Sequence, residues 1–200
     1  MAESCQEILD PRIRRTRLLL QEALGRLIET TEFDKISVQD IAEAATVNRA
    51  TFYDHYPDKY ALLECMVGTR FAELLARRGV RFDGGCGEAV KAMMRGLCDY
   101  LMELPGLACG RQRTMEPHLE SAVVAVVRNM LLEGLRRHPP TVPGMSPEMA
   151  AATASWAMYG AAKEWVRTPD HGPVEDVVAM VIGVVAPVLG LMSGEEAMAH

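Results

Sequence analysis

Aromatic residues are scarce in this 200-residue chain, at 6%, and no segment alternates apolar with polar residues in a run rich in Val, Thr and Tyr. Half-buried strands depend on that patterning. The dominance of Ala, Leu, Met, Glu and Arg instead predicts an all-α fold. Positive charge is in deficit as well: 21 Lys and Arg face 27 Asp and Glu, a net charge of -6. That balance argues against uniform electrostatic coating of nucleic acid and leaves only a local basic face. Cysteines number five, at 5, 65, 86, 98 and 109, an odd set without a C-x-x-C pair. Such a set is no disulfide framework, so a reducing, cytoplasmic compartment is expected, with Cys86, Cys98 and Cys109 as buried, inert thiols rather than sensors of oxidants.

The N-terminal stretch MAESCQEILDPRIRR lacks the apolar core of a secretory signal, so no export is expected. Signatures of catalysis are missing too: there is no Ser-His-Asp order, no phosphate-cradling glycine loop and no paired-carboxylate constellation. Glu116, His118 and Glu120 come nearest to a metal set, but on a helix His118 turns away from the two carboxylates. No enzyme, cofactor or metal is expected. Residues 177–194 carry no charge over 18 positions, yet Gly183, Pro187 and Gly190 interrupt them and no Lys or Arg cluster flanks them. A helix buried on all sides, in a subunit interface, is favoured over a membrane span.

What is present is helical punctuation. Leu20, Ala23, Leu24, Leu27 and Ile28 recur at a spacing of three and four, which predicts a first helix over Arg12–Thr31. Ser37-Val38-Gln39-Asp40 has the form of a capping box opening a short second helix, and Thr46-Val47-Asn48 interrupts it. Asn48 suits the N-cap of a third helix from Arg49 to His55, which Tyr56-Pro57-Asp58 ends. A longer helix follows from Lys59 to about Phe82, broken by Asp83-Gly84-Gly85. Further helices are expected near 87–104, 117–138, 147–167 and 173–192, separated by Pro- and Gly-containing segments at Pro105-Gly106, 138–144 and 168–173, about nine helices in all. Pro187 should kink the last helix or end it early.

A longer amphipathic helix followed by two short ones across a three-residue turn is a helix-turn-helix unit, which can place one helix in a DNA major groove. On the segment Arg49–His55, Phe52 is the apolar anchor. Arg49 can donate to guanine, Thr51 can meet a phosphate or a thymine methyl, and Tyr53 offers a ring and a hydroxyl. Upstream, Arg12, Arg14, Arg15 and Arg17 form a basic arm able to contact phosphate. Residues 1–59 nonetheless hold eight Lys and Arg against eleven Asp and Glu, so the basic face is local.

The run ISVQDIAEAATVNRATFYDHYPDK, residues 36–59, continuing into Ala61-Leu62-Leu63, resembles the TetR family of one-component bacterial transcriptional regulators. The likeness covers roughly residues 12–65. It implies a homodimer whose two helix-turn-helix units dock in successive major grooves, with a ligand-receiving, dimerising helical domain behind them. By position, Arg49, Ala50, Thr51, Tyr53 and His55 fall where the family contacts its operator, and Ser37, Tyr56 and Lys59 where it grips phosphate. Together with Arg14, Arg17 and the capping Asn48 they make up the expected DNA-binding set. Thr46 and Asn48 stand where many relatives carry Gly or Ser. Repression rather than activation follows from the family alone.

Two domains are therefore expected, residues 1–58 for DNA binding and 59–200 for ligand binding and dimerisation. Residues 60–200 hold twelve of the thirteen Met and both Trp, which suits an adaptable apolar cavity. Candidate lining residues are Met66, Met94, Leu97, Cys98, Leu101, Met115, His118, Leu119, Trp156 and Tyr159, for an apolar or aromatic effector with one or two hydrogen-bonding groups. Candidate dimer residues are Ala157, Gly160, Ala161, Val181, Val184, Val185 and Val188, on two helices whose small side chains permit close packing. The expected partners are thus a double-stranded DNA operator, a small-molecule effector and a second copy of the chain, with no membrane. The competing reading is a helical lipid-carrying or scaffold protein without operator binding.

Overall fold

The computed structural model describes residues 10–104, 114–140 and 142–191; Cys5, Cys109, the separator at 105–106 and Met192 lie outside them. Among the described residues there are eight α-helices, one short 3-10 turn at Phe33–Lys35 and no strand. The chain divides into two compact units between Met66 and Val67. No described helix is long and apolar enough to cross a membrane.

The N-terminal unit holds α1 (Pro11–Thr30), α2 (Val38–Ala44), α3 (Arg49–His55) and the first turns of α4 (Lys59–Arg77). Helix α1 starts one residue before the expected Arg12: Asp10 is its N-cap, accepting from the Arg12 amide at 2.9 Å, and Pro11 opens the first turn. Proline is at home there because that amide has no helical acceptor. Leu20, Ala23 and Leu24 are fully buried, and α1 packs against both α2 and α3.

In the C-terminal unit α5 (Gly87–Glu103), α6 (Glu116–Arg137), α7 (Pro147–Arg167) and α8 (Val174–Leu189) pack side by side, α7 touching each of the other three. Helix α4 ends at Arg77, five residues before the expected Phe82, because Gly79 takes φ 68° and closes a left-handed cap. The Gly79 amide donates to Ala76 O and the Val80 amide to Leu75 O, both at 3.0 Å. Helix α8 ends in the same way at Gly190, φ 69°, three residues past Pro187. The expected early end is therefore found at Leu189.

The same cap closes α2, but with threonine in the left-handed position. Thr46 has φ 57°, its amide donates to Glu43 O at 3.0 Å and the Val47 amide to Ala42 O at 2.9 Å. Asn48, the other residue that replaces the family's Gly or Ser, sits at an ordinary φ of -82°. A side chain with a Cβ in the left-handed region costs roughly 1–2 kcal/mol, more than the roughly 0.5–1 kcal/mol that glycine loses in chain entropy. Thr46→Gly should accordingly raise stability by about 0.5–1 kcal/mol, read as a higher urea midpoint at unchanged slope. A lower midpoint would mean that the threonine side chain contributes contacts that outweigh its strain.

Candidate nucleic-acid interface

The interface is built by caps. Ser37 Oγ accepts from the Asp40 amide at 3.1 Å and donates to Asp40 Oδ2 at 2.7 Å, while the Ser37 amide donates to the same carboxylate oxygen at 2.8 Å. These bonds from Ser37 hold the Asp40 carboxyl below its ordinary pKa, so the box weakens as pH falls through that lowered value. Asn48 Oδ1 caps α3, accepting from the Thr51 amide at 2.8 Å and from Thr51 Oγ1 at 3.1 Å. From α1, Arg26 donates to Ala44 O at 3.2 Å, a cation at the negative end of the α2 dipole.

One residue of α3 turns inward. Phe52 is fully buried and meets Tyr53 edge-on at 5.4 Å and Tyr56 at 6.1 Å between ring centroids. The outward residues are Arg49, Ala50, Tyr53 and Asp54, Tyr53 being 47% exposed, with Thr51 and His55 half-buried. Arg49 donates to Tyr53 Oη at 3.4 Å with its guanidinium 5.7 Å from the ring centre, so the two outward side chains on successive turns hold each other. Burial, followed by the charge of Arg17, pushes the His55 pKa down. Near neutral pH His55 therefore presents an uncharged imidazole rather than a cation.

Three of the expected phosphate-gripping residues are otherwise occupied. Ser37 Oγ spends its proton inside the capping box. Tyr56 is a core residue: it is 5% exposed, and its hydroxyl accepts from Gln21 at 3.3 Å and donates to Cys65 Sγ at 3.6 Å. Lys59 Nζ donates to the carbonyls of Phe33 at 2.9 Å, Asp34 at 3.2 Å and Ile36 at 2.8 Å, using all three of its protons. It also lies 4.6 Å from the centre of the Phe33 ring. Lys59 ties the α1–α2 connection to the start of α4 and has no proton left for a phosphate. Arg14 is exposed, as are Arg12 and Arg15, whereas Arg17 is half-buried with its guanidinium 5.7 Å from the Tyr56 ring centre.

In the C-terminal unit Met94, Leu97, Cys98, Leu101, Met115, Leu119 and Tyr159 are all buried. Burial pushes the Cys98 thiol up to about 12, so it carries little thiolate; Cys86, just ahead of α5, is exposed instead of buried. Met66 is buried at the end of the N-terminal unit, and His118 is half-buried. Trp156 departs from expectation: it is 52% exposed, because it lies on the outer side of α7 with Met149, Thr153 and Gly160. The dimer set divides. Ala157, Gly160, Ala161, Val184 and Val188 reach the outer side, but Val181 and Val185 are buried in the chain's own core, one helical turn apart on the opposite side of α8. Ala179, Met180, Gly183 and Pro187 of α8 are exposed as well and are absent from the expected set. The spacing 180, 183, 184, 187 would have found the last three.

Residues 20–66 match the family model of the tetR family of bacterial regulatory proteins. The helix-turn-helix unit is of the TetR family. Over 68 residues the chain is 41% identical to YxbF of Bacillus subtilis, an uncharacterized HTH-type transcriptional regulator, covering 34% of this chain and 18% of that one. It is 38% identical over 68 residues to the HTH-type regulator EthR of Mycolicibacterium smegmatis, covering 34% of this chain and 28% of that one. The chain thus spans less than a third of the length of either relative. Among solved structures, FadR of Thermus thermophilus, a TetR-family repressor with lauroyl-CoA, aligns with TM-score 0.60 at 19% identity over 88% of this chain and 95% of that one. RolR with resorcinol aligns with TM-score 0.59 at 20% identity over 92% of each chain. At these identities the likeness extends the TetR-like fold to the C-terminal helices.

Lys59→Met should lower stability by about 1.5–3 kcal/mol, since three carbonyls lose a charged donor. Lys59→Arg should not restore it, because a planar fork cannot converge on three acceptors around one atom. With the folded fraction matched, the dependence of duplex affinity on salt should be the same for wild type and Lys59→Met. A slope shallower by about one in the variant would return Lys59 to the phosphate contacts.

Proposed function

We propose that the protein is a ligand-responsive transcriptional regulator of the cytoplasm. It binds a palindromic operator in double-stranded DNA as a homodimer and is released by a small apolar or aromatic effector. The observation that carries this reading is the outer face of α3, where Arg49 and Tyr53 stand exposed and mutually held on a helix anchored inward by Phe52. Arg49 is suited to guanine O6 and N7, Thr51 and Ala50 to a thymine methyl, and Arg12, Arg14 and Arg15 to phosphate. FadR in complex with lauroyl-CoA and RolR in complex with resorcinol share this fold, which supports an effector site among the buried residues of α5, α6 and α7. Repression is the direction adopted, as for the FadR repressor.

Dimerisation is assigned to the outer side of α7 and α8. Trp156, Met180 and Val184 are 52%, 59% and 62% exposed there, a large apolar display for a chain acting alone. Gly160 and Gly183 lie on the same side, and a Cβ built on either would meet nothing within 4 Å among the described residues. Small residues among large apolar ones let helices of a second copy approach closely.

Selection from a random duplex library by the full chain should enrich a palindrome with half-sites about one helical turn apart or slightly more. Arg49→Ala and Tyr53→Ala should each lose about 1–3 kcal/mol of affinity per half-site while folding normally. No enrichment from folded, dimeric, ligand-free protein would sink the regulator reading and favour a helical carrier. Val184→Arg should sediment as a monomer with unchanged helical content. A dimer that survives this change would place the interface elsewhere.

A further inference from the structure

Tyr159 on α7 is 1% exposed, and its hydroxyl has no hydrogen-bond partner among the described residues. Leaving such a group unpaired costs on the order of 1–3 kcal/mol, and buried polar groups in native proteins are nearly always paired. A phenylalanine would fill the same volume without that cost, so the hydroxyl calls for a use outside the packing.

The charges nearest to it decide what that use can be. Lys163, one turn along α7 with Nζ 5.8 Å from the Tyr159 ring centre, pairs with Glu116 at 2.7 Å and with Glu120 at 3.0 Å. Arg167, one turn further, pairs with the same Glu116 oxygen at 2.7 Å. The cations match the carboxylates in number, but at the Tyr159 hydroxyl Glu120 and Glu116 weigh more, with Arg167 opposing them. Glu116 is held below its ordinary pKa by Lys163, and Lys163 above its own by Glu116, so both keep their charges. Burial, reinforced by Glu120 and Glu116, pushes the Tyr159 pKa well above its ordinary value, and the group remains a phenol. An anionic ligand at the hydroxyl would face two carboxylates whose cations are already committed. An uncharged one would meet no such opposition, and a phenol can donate to its oxygen or accept from its hydroxyl.

We propose that Tyr159 Oη is the polar anchor of the effector site, and that the effector is an uncharged, largely apolar molecule bearing a hydroxyl or carbonyl oxygen. The inference rests on the reading of the C-terminal unit as the effector-receiving part of a regulator, and it excludes free carboxylates as the preferred class.

The test uses the full chain and Tyr159→Phe with two matched probe series: 2-naphthol, 2-acetylnaphthalene, 2-methylnaphthalene and 2-naphthoate; then 1-decanol, 2-decanone and decanoate. Without probe, the variant should melt at or above the wild-type temperature. At least one uncharged oxygenated probe should raise the wild-type Tm, bind more tightly than its hydrocarbon or carboxylate counterpart, and bind Tyr159→Phe roughly tenfold more weakly. The inference is overturned if no uncharged probe binds, if the carboxylates bind as well, or if wild type and Tyr159→Phe bind alike, as they would were the hydroxyl served by water alone. Release of the selected duplex is read in parallel. Tyr159-dependent binding that leaves duplex affinity unchanged would overturn the regulator reading and keep the site. Duplex release indifferent to Tyr159 would do the reverse.

Discussion

A helix of seven residues has no stability of its own, and the α3 surface exists only because Phe52 is driven out of water. Full burial of a phenylalanine contributes about 1.5–3 kcal/mol, comparable to what a short helix needs once its ends are capped. Asn48 supplies the cap at the start, and the Tyr56 amide, donating to Phe52 O at 2.9 Å, closes the end. Everything outward on α3 follows from this inward anchor. With Phe52 fixed, the helix period puts Arg49 and Tyr53 on the same outer stripe, where each restricts the other. The surface offered to a partner is therefore organised before any partner arrives, which lowers the ordering cost of recognition.

The features legible in the sequence were those whose partners lie close along the chain. Ser37 with Asp40 and Asn48 with Thr51 are contacts over three residues, and their chemistry could be read directly from residue type and spacing. Tyr56 and Lys59 could not be read in that way. Tyr56 finds Gln21 35 residues away, and Lys59 finds its three carbonyls 23 to 26 residues away. Both stand where the family is expected to grip phosphate, and local pattern cannot tell an exposed lysine from one that closes a loop. Helix ends show the same division. The Gly190 cap follows three residues after a proline that announces it, whereas the stronger Asp83-Gly84-Gly85 signal just beyond masks the Gly79 cap.

Helix α8 illustrates a different limit. Where nearly every residue is apolar, composition no longer separates a core stripe from an interface stripe, so Val181 and Val185 look the same in sequence as Val184 and Val188. In the structure the first pair is buried within the chain and Val184 is exposed. The near-continuous apolarity is explained if both sides of α8 are to be covered, one by α5 and α7 and the other by a second copy. The two glycines in open space point the same way. Gly160 and Gly183 sacrifice helix propensity, about 1 kcal/mol each, without relieving any contact among the described residues.

The start of α1 breaks a local rule in a comparable way. A helix N-terminus favours acidic residues, yet the first turn of α1 contains none and the first seven residues include Arg12, Arg14, Arg15 and Arg17. Arginines there oppose the helix dipole and repel one another, so the arrangement lowers the stability of α1 instead of raising it. Sequences retain such conflicts where function requires them. Among the other cations of the unit, Arg26 is committed to Ala44 O, Lys35 to Glu32 and Lys59 to three carbonyls. In a unit with an acidic balance, the positive field must come from the exposed arginines at the start of α1, together with Arg49 on α3. A duplex would thus meet a small basic surface at two helix starts, and its affinity would depend on salt with the modest slope of a few phosphate contacts rather than the steep one of a uniformly basic domain.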